Sequence, residues 1–259
     1  MLRTENIHFA IDKKQILHDV TADFVPGEFS MILGPNGSGK SSFLKIFSGE
    51  ISAFKGDVKY ADRNIKSFKK EELALRRAVM SQLPELSFPL TVEEVVMMGR
   101  YPHFKFNPNK HDETICNEVM HQMDLDSFRM RNYLTLSGGE KQRVQFARVL
   151  TQIWEKPADG YRYLFLDEPL TSLDIKYQQE FLQIAKNFSK NDTVLIAVMH
   201  DINLALQYAD KIIFLKEGTI LAQGKPSDIL SPALISEVYH VDAQIITHPV
   251  TKKPLVIYH

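Results

Sequence analysis

"FSMILGPNGSGKSS", Phe29 to Ser42, sets an apolar run against glycines at 34, 37 and 39, a lysine at 40 and serines on either side of that lysine. Phe29–Leu33 is too short for a helix and too apolar for a surface loop, so it reads as a strand buried on both faces. Beyond the glycines, "KSSFLKIFSG" places Phe43, Leu44 and Phe47 at helical spacing, with Gly49 positioned to end the helix. The glycine-rich stretch therefore joins a buried strand to a helix. That context separates a seat for an anion from a flexible surface turn.

Gly34-x-x-x-x-Gly39-Lys40-Ser41 fits the P-loop pattern in full, in the strand-to-helix setting the pattern requires. Glycines let backbone N–H groups turn inward around phosphate oxygens, and the following helix points the positive end of its dipole at them. A plain turn would account for the glycines but for neither the lysine nor the serine. The candidate nucleotide seat is Gly34, Pro35, Asn36, Gly37, Ser38, Gly39, Lys40, Ser41 and Ser42. Lys40 is expected to reach the β- and γ-phosphates of ATP, and the Ser41 hydroxyl to bind Mg²⁺.

Working outward, Ile7, Phe9 and Ile11, then Ile16, Leu17 and Val20, read as short antiparallel strands around a polar turn at Asp12–Gln15. "KSFKKEELALRR", Lys66 to Arg77, reads as a helix with a solvated charged face. Thr91 to Arg131 is helical in pattern, broken by a loop at Pro102–Pro108. "YRYLFLDEP" and "NDTVLIAVMH" supply two more buried strands. Strands alternating with helices indicate a mostly parallel sheet, which binds ligands at its strand C-termini. Leu164-Phe165-Leu166-Asp167-Glu168 ends one strand in two carboxylates at that edge. Asp167 is expected to hold the metal's hydration shell and Glu168 to take a proton from attacking water, while Pro169 stops further pairing.

Bulk properties exclude several classes. A chain of 259 residues, 44% hydrophobic and 24% charged, can bury a substantial core. A formal net charge of -1 lacks the basic excess that would put nucleic acid first among partners. Cys116 is the single cysteine, so the chain has no internal disulfide or multi-thiolate zinc site, and a reducing compartment is expected. Apolar stretches such as Val194–Met199 fall far short of a bilayer span of roughly 20 residues. No signal peptide is read at Met1–Asp12, so work at a membrane would need a partner to hold the chain there.

"LSGGEKQRVQFARVL", Leu136 to Leu150, opens a long amphipathic helix with a serine and two glycines, a second anion-seeking N-terminus. The stretch resembles the signature motif of ABC-type ATPases. The resemblance covers nearly the whole chain in order: P-loop, a Gln82 loop, the signature, the acid-ended strand, Ser172-Leu173-Asp174, and His200 after the next strand. It implies one α/β P-loop ABC nucleotide-binding domain over 1–259, with a mostly parallel sheet core, an N-terminal antiparallel β subdomain and an inserted α-helical subdomain. The implied division is 1–84 for β subdomain and P-loop core, 85–140 for the helical subdomain, 141–225 for the rest of the core and 226–259 for a C-terminal segment.

The same resemblance implies a head-to-tail homodimer sandwiching two ATPs, each between one copy's P-loop and the other's Ser137, Gly138 and Gly139. Gln82 is implied to contact Mg²⁺ or the attacking water, His200 the γ-phosphate, and Asp174 the dimer interface. Two departures stand out. Glu140 occupies a position where many members have glutamine, and Ile11, aligned from Asn6 and Asp19, falls where an aromatic residue often stacks on adenine. Adenine packing is thus either aliphatic or through Phe9.

"VMMGRYPHF", Val96 to Phe104, resembles the ATPase subunits of importers for iron-siderophores, haem and cobalamin. "WEKPADGYRYLFLDEP" and "HPVTKKPLVIY" look most like the haem (hemin) import ATPases. The resemblance implies an ATP-hydrolysing subunit on the cytoplasmic face of a bacterial inner membrane, bound to a separate permease dimer and served indirectly by a substrate-binding protein. Ferric siderophore or cobalamin import are the neighbouring alternatives. A soluble ABC ATPase acting on nucleic acid or ribosomes is the alternative of another class; it commonly has paired cassettes, coiled-coil inserts or basic extensions, which this sequence does not show. His103, His111, His240, His248 and His259 are read as structural rather than as haem ligands.

Overall fold

The computed structural model describes residues 1–81, 89–171, 173–190 and 192–259. The chain divides into two compact units, Met1–Ser67 with Lys186–His259, and Phe68–Ala185. The first unit opens with β1 (Leu2–Ile11), β2 (Lys14–Phe24), β3 (Phe29–Leu33), α1 (Lys40–Phe47), β4 (Lys55–Tyr60) and β5 (Arg63–Asn64). The second holds α2 (Lys70–Ala74), β6 (Arg77–Met80), α3 (Val92–Met97), α4 (Lys110–Gln122), α5 (Gly138–Gln152), β7 (Arg162–Asp167) and most of α6 (Ile175–Ser189). The first unit resumes with β8 (Thr193–Val198), α7 (Ile202–Tyr208), β9 (Lys211–Lys216), β10 (Thr219–Gly224), α8 (Pro226–Ile229), α9 (Pro232–Tyr239), β11 (Ala243–Thr247) and β12 (Pro254–Tyr258).

In the first unit, β1 and β2 form the antiparallel hairpin expected from the alternation at Ile7 to Val20, with β4 and β5 extending it. Every residue of β3 and of β8 is buried, as a strand covered on both faces requires. β3 runs parallel to β8 on one side and to β9 on the other, and β10 closes the edge antiparallel to β9. α1 carries its apolar face into this core, where Phe43 packs edge-on against Phe47 at 4.9 Å and Phe47 lies 5.5 Å from Phe24. The Tyr60 hydroxyl donates to the Phe47 carbonyl at 2.7 Å, which satisfies an acceptor at the helix end.

In the second unit, β6 pairs parallel with β7, whose six residues are all buried. The helix expected over Lys66–Arg77 is only Lys70–Ala74, because Arg77 to Met80 alternate half-buried and buried as a strand against Tyr163–Leu166. Burial of Ala78 and Met80 on that pairing overrides local helix propensity. The helical pattern of Thr91–Arg131 resolves into α3, a short 3-10 segment Met98–His103 and α4. α3 and α4 both begin in capping boxes, Thr91 with Glu94 and Asn109 with Asp112.

The "VMMGRYPHF" stretch has an internal architectural cause. A Cβ on Gly99 would sit 2.0 Å from the Arg148 carbonyl oxygen, so only glycine permits this close approach to α5. Arg100, 1% exposed, donates to Asp112 Oδ1 at 3.0 Å, to the Thr151 carbonyl at 2.9 Å and to Glu155 Oε2 at 2.9 Å. Burial pushes the Asp112 carboxyl up, yet the Asn109 amide and the Arg100 guanidinium outweigh it and hold the group below the usual aspartate value.

Candidate active site

β3 delivers Gly34 to the C-terminal edge of the first unit's parallel strands. Gly34 sits at φ 149, and a Cβ there would lie 1.9 Å from the Leu215 carbonyl oxygen. Pro35, Asn36 and Gly37 form the outward arc, and Ser38 turns back into the protein. The returning limb is fastened by Gly218 of the β9–β10 turn, whose N–H donates to the Ser38 carbonyl at 3.0 Å, while its own carbonyl accepts from the His18 N–H at 2.8 Å. Gly39 then caps α1 at φ 102, where a Cβ would crowd Leu17 at 2.8 Å.

Lys40, Ser41 and Ser42 fill the first turn of α1, which carries no acidic residue and has no side-chain cap. Lys40 is only 6% exposed; its Nζ donates to the carbonyls of Gly34 at 2.8 Å and Pro35 at 2.9 Å, so the cation is held over the loop. Ser38 Oγ is buried without a hydrogen-bond partner among the described residues. A cation, an uncapped helix N-terminus, two glycines that leave no room for Cβ, and a buried unpaired hydroxyl together fit a polyanion such as a triphosphate.

His200 reaches the same edge. The Met199 N–H donates to the Ile32 carbonyl at 3.1 Å, which aligns the end of β8 with the end of β3 and leaves His200 exposed one residue further on. Of the two residues considered for adenine, Ile11 is 52% exposed at the end of β1, whereas Phe9 is 8% exposed.

In the second unit, Asp167 ends β7 in a buried position, and Glu168 follows at φ 51, a left-handed conformation unusual for glutamate. The Glu168 carbonyl accepts from the Thr171 hydroxyl at 3.1 Å. Asp174 is exposed and caps α6, accepting from the Tyr177 N–H at 3.0 Å. Gln82 and Ser172 lie outside the described residues. Ser137 is the N-cap of α5, exposed with Gly138 beside it and Gly139 half-buried.

Two features here were missed in the sequence. Glu140 closes a capping box: its Oε2 accepts from the Ser137 N–H at 2.7 Å, and Ser137 Oγ accepts from the Glu140 N–H at 3.3 Å. The S-x-x-E spacing was the available signal. Those bonds from Ser137 hold the Glu140 carboxyl below the usual glutamate value. The second is the Gln142 side chain, which donates to the Pro169 carbonyl at 2.6 Å. It spans 27 residues of sequence and has no local signal.

Three of the histidines read as structural have partners for their side chains. His103 Nε2 meets the Gln152 carbonyl at 2.8 Å, His111 Nε2 meets Glu155 Oε1 at 2.8 Å, and His248 Nδ1 accepts from Val250 and Thr251 N–H groups. Cys116 is buried beside Met97, and burial pushes its thiol up to about 12. Among the described residues no helix is long and apolar enough to cross a membrane.

The model of the ABC transporter family matches residues 17–171, a span that includes the P-loop, the signature and the acid-ended strand. The chain belongs to the ABC transporter family. It is an ATP-binding chain with that family's ATPase fold. A hemin import ATP-binding protein of Gloeobacter violaceus is 42% identical over 257 residues, covering 99% of this chain and 94% of that protein. A hemin import ATP-binding protein of Mesorhizobium japonicum is 42% identical over 258 residues, 99% of this chain and 98% of that one. Among solved ABC structures, a chain of an inward-facing transporter superposes with a TM-score of 0.83 at 21% identity, over 100% of this chain and 96% of that chain. A dimeric bacterial ABC transporter cassette superposes with a TM-score of 0.73 at 25% identity, over 87% of this chain and 98% of that chain.

Proposed function

We propose that this ABC family chain hydrolyses ATP to drive haem uptake through a separate membrane permease. The observation that carries the haem assignment is likeness at 42% identity, over nearly the full length, to proteins named for hemin import. The cradle geometry at Gly34–Ser42 supports the ATPase part.

In this reading the P-loop amides and Lys40 bind the phosphates, and the uncapped end of α1 adds its dipole. Ser41 and Asp167 offer the hard oxygen donors that Mg²⁺ takes, with Gln82 as a further contact. Bound Mg²⁺ would neutralise charge on the phosphate oxygens. Glu168 accepts a proton from the attacking water, and the backbone fixed at φ 51 sets the direction of its carboxylate. His200 hydrogen-bonds the γ-phosphate. Ser137, Gly138 and Gly139 close on the nucleotide of a second copy, with Asp174 beside that interface; the exposure of Ser137 and Gly138 supports this. Two copies therefore share two ATPs, and oligomerisation belongs to the mechanism.

The permease seat is proposed on the helical segment within 85–140. A cavity of about 610 Å³ there is lined by Glu93, Glu94, Met97, Tyr101, Phe104 and Phe106, and Phe106 is almost fully exposed. Attachment to a permease would keep the chain at the inner face of the membrane, and a substrate-binding protein would deliver haem from the other side. The test is ATPase activity of the chain reconstituted with its permease in liposomes. Stimulation by haem with its binding protein is expected. Stimulation only by a ferric siderophore or cobalamin would reassign the substrate, and recovery on RNA without a permease would remove the transport role.

A further inference from the structure

Gln142 stands on the second turn of α5, 4% exposed, with its amide aimed at the loop that follows the acid-ended strand. Its Nε2 donates to the buried Pro169 carbonyl at 2.6 Å. The preceding carbonyl, that of Glu168, is held by the Thr171 hydroxyl at 3.1 Å. Two successive carbonyls are thus pinned around a glutamate at φ 51, a conformation that non-glycine residues keep only where their surroundings enforce it. One of the two pins comes from the helix whose N-cap is Ser137. Between Ser137 and Gln142 lies roughly 7–8 Å of α-helix, a rigid lever at 1.5 Å per residue.

We infer that Gln142 is a positioning residue that couples the Ser137 end of α5 to the backbone conformation presenting the Glu168 carboxylate. The inference rests on the proposed shared site, in which a chain's Ser137 serves the partner's nucleotide and its Glu168 serves its own. Closure of Ser137 on one ATP shifts or steadies α5, and the Gln142 amide carries that to the Pro169 peptide. The general base at the other ATP is thereby steadied when the first is clasped. A buried carbonyl that loses its donor has no water to replace it, so the coupling is stiff.

The experiment uses the full chain with Gln142→Met, which keeps side-chain length and removes the donor. Folding is monitored by thermal midpoint and monomer affinity by a fluorescent ATP analogue, which should stay within about twofold because the P-loop is untouched. The expected result is a fall in kcat of about tenfold with KM for ATP little changed. The Hill coefficient is expected to exceed 1 in the unmodified chain and to fall to about 1 in the variant. Should Gln142→Met fail to fold, Gln142→Glu replaces it. A neutral acid donates an O–H to Pro169 and a carboxylate cannot, so its kcat relative to the unmodified chain should decline from pH 6 to pH 9. Unchanged kcat and cooperativity in the methionine variant, or a flat relative kcat in the glutamate variant, overturns the inference. The shared site is read separately: if Glu168→Gln forms no ATP-dependent dimer, that reading fails first, whereas dimer formation with unaltered Gln142→Met kinetics removes the coupling alone.

Discussion

Replacing Arg100 by methionine should destabilise the second unit by about 3–5 kcal/mol at pH 7, with a pH signature that identifies the cause. Arg100 and Asp112 are each 1% exposed and meet at 3.0 Å. Methionine fills much of the aliphatic volume, so the cavity left is small and the cost falls on the stranded partners. Asp112 must either stay charged without its cation or take up a proton, and from an ordinary value of 3.8 the proton costs about 4 kcal/mol at pH 7, at 1.36 kcal/mol per unit. The unpaired Thr151 carbonyl adds about 1 kcal/mol. Glu155 is 43% exposed and is counted as near zero. In the unmodified chain Asp112 is depressed, so its contribution is present above the unfolded value and lost as pH falls below it. In the variant its value is raised, so stability is lost as pH climbs. The proton cost falls to about 1.6 kcal/mol at pH 5, so the gap is widest at neutral pH and shrinks to about 2–3 kcal/mol near pH 5. Trp154, the single tryptophan, donates to Glu118 in the same unit and reports urea unfolding there by fluorescence. A loss under about 1 kcal/mol at pH 7, or a gap that grows on acidification, refutes the reasoning.

Lys40→Ala should weaken ATP binding at least 100-fold, about 2.7 kcal/mol, in a fluorescent nucleotide titration; unchanged affinity would take Lys40 off the phosphates. Glu168→Gln should bind ATP, accumulate a dimer on size-exclusion chromatography and lose about 10²–10⁴ in turnover, and hydrolysis at the unmodified rate would exclude Glu168 as the base. Glu140→Ala should lower stability by about 0.5–1 kcal/mol at pH 7 through loss of the capping box. Because the Glu140 carboxyl is depressed by Ser137, that contribution exists above the ordinary glutamate value of 4.5 and disappears as pH falls through the folded value. Thermal melts at pH 7 and below pH 3 should therefore differ between the two chains only at the higher pH.

Legibility in the sequence followed the range of the forces involved. The P-loop was readable because each of its residues answers a local demand: Gly34 and Gly39 have backbone conformations and neighbours that exclude a Cβ, and Lys40 bonds within its own loop. β3 and β8 were readable because continuous burial leaves no polar position. Lys66–Arg77 was misread as one helix because its charges fit a solvated helix, while the partner that draws Arg77–Met80 into a strand lies some 86 residues on, at Tyr163–Leu166. The same limit hid the Arg100 network, which gathers Asp112, Thr151 and Glu155 from three places in the sequence. It also hid Gln142 on Pro169.

The two anion-seeking helix ends differ in a way that orders the proposed cycle. α1 starts at a glycine with no side-chain cap and no first-turn acid, so its amides and Lys40 meet a phosphate without first releasing a competing carboxylate. α5 starts at a serine engaged with its own Glu140, by one short bond of 2.7 Å and one long bond of 3.3 Å. An incoming γ-phosphate must compete there with a carboxylate already seated on the Ser137 amide. The long bond need not break, because Ser137 Oγ only accepts in it and the hydroxyl proton is still available to donate to the phosphate. Monomer binding through the P-loop is therefore the strong step, and closure of a second copy's Ser137 is the weak one. A weak closure can reverse after each hydrolysis, which a transport motor requires and a permanent dimer would forbid.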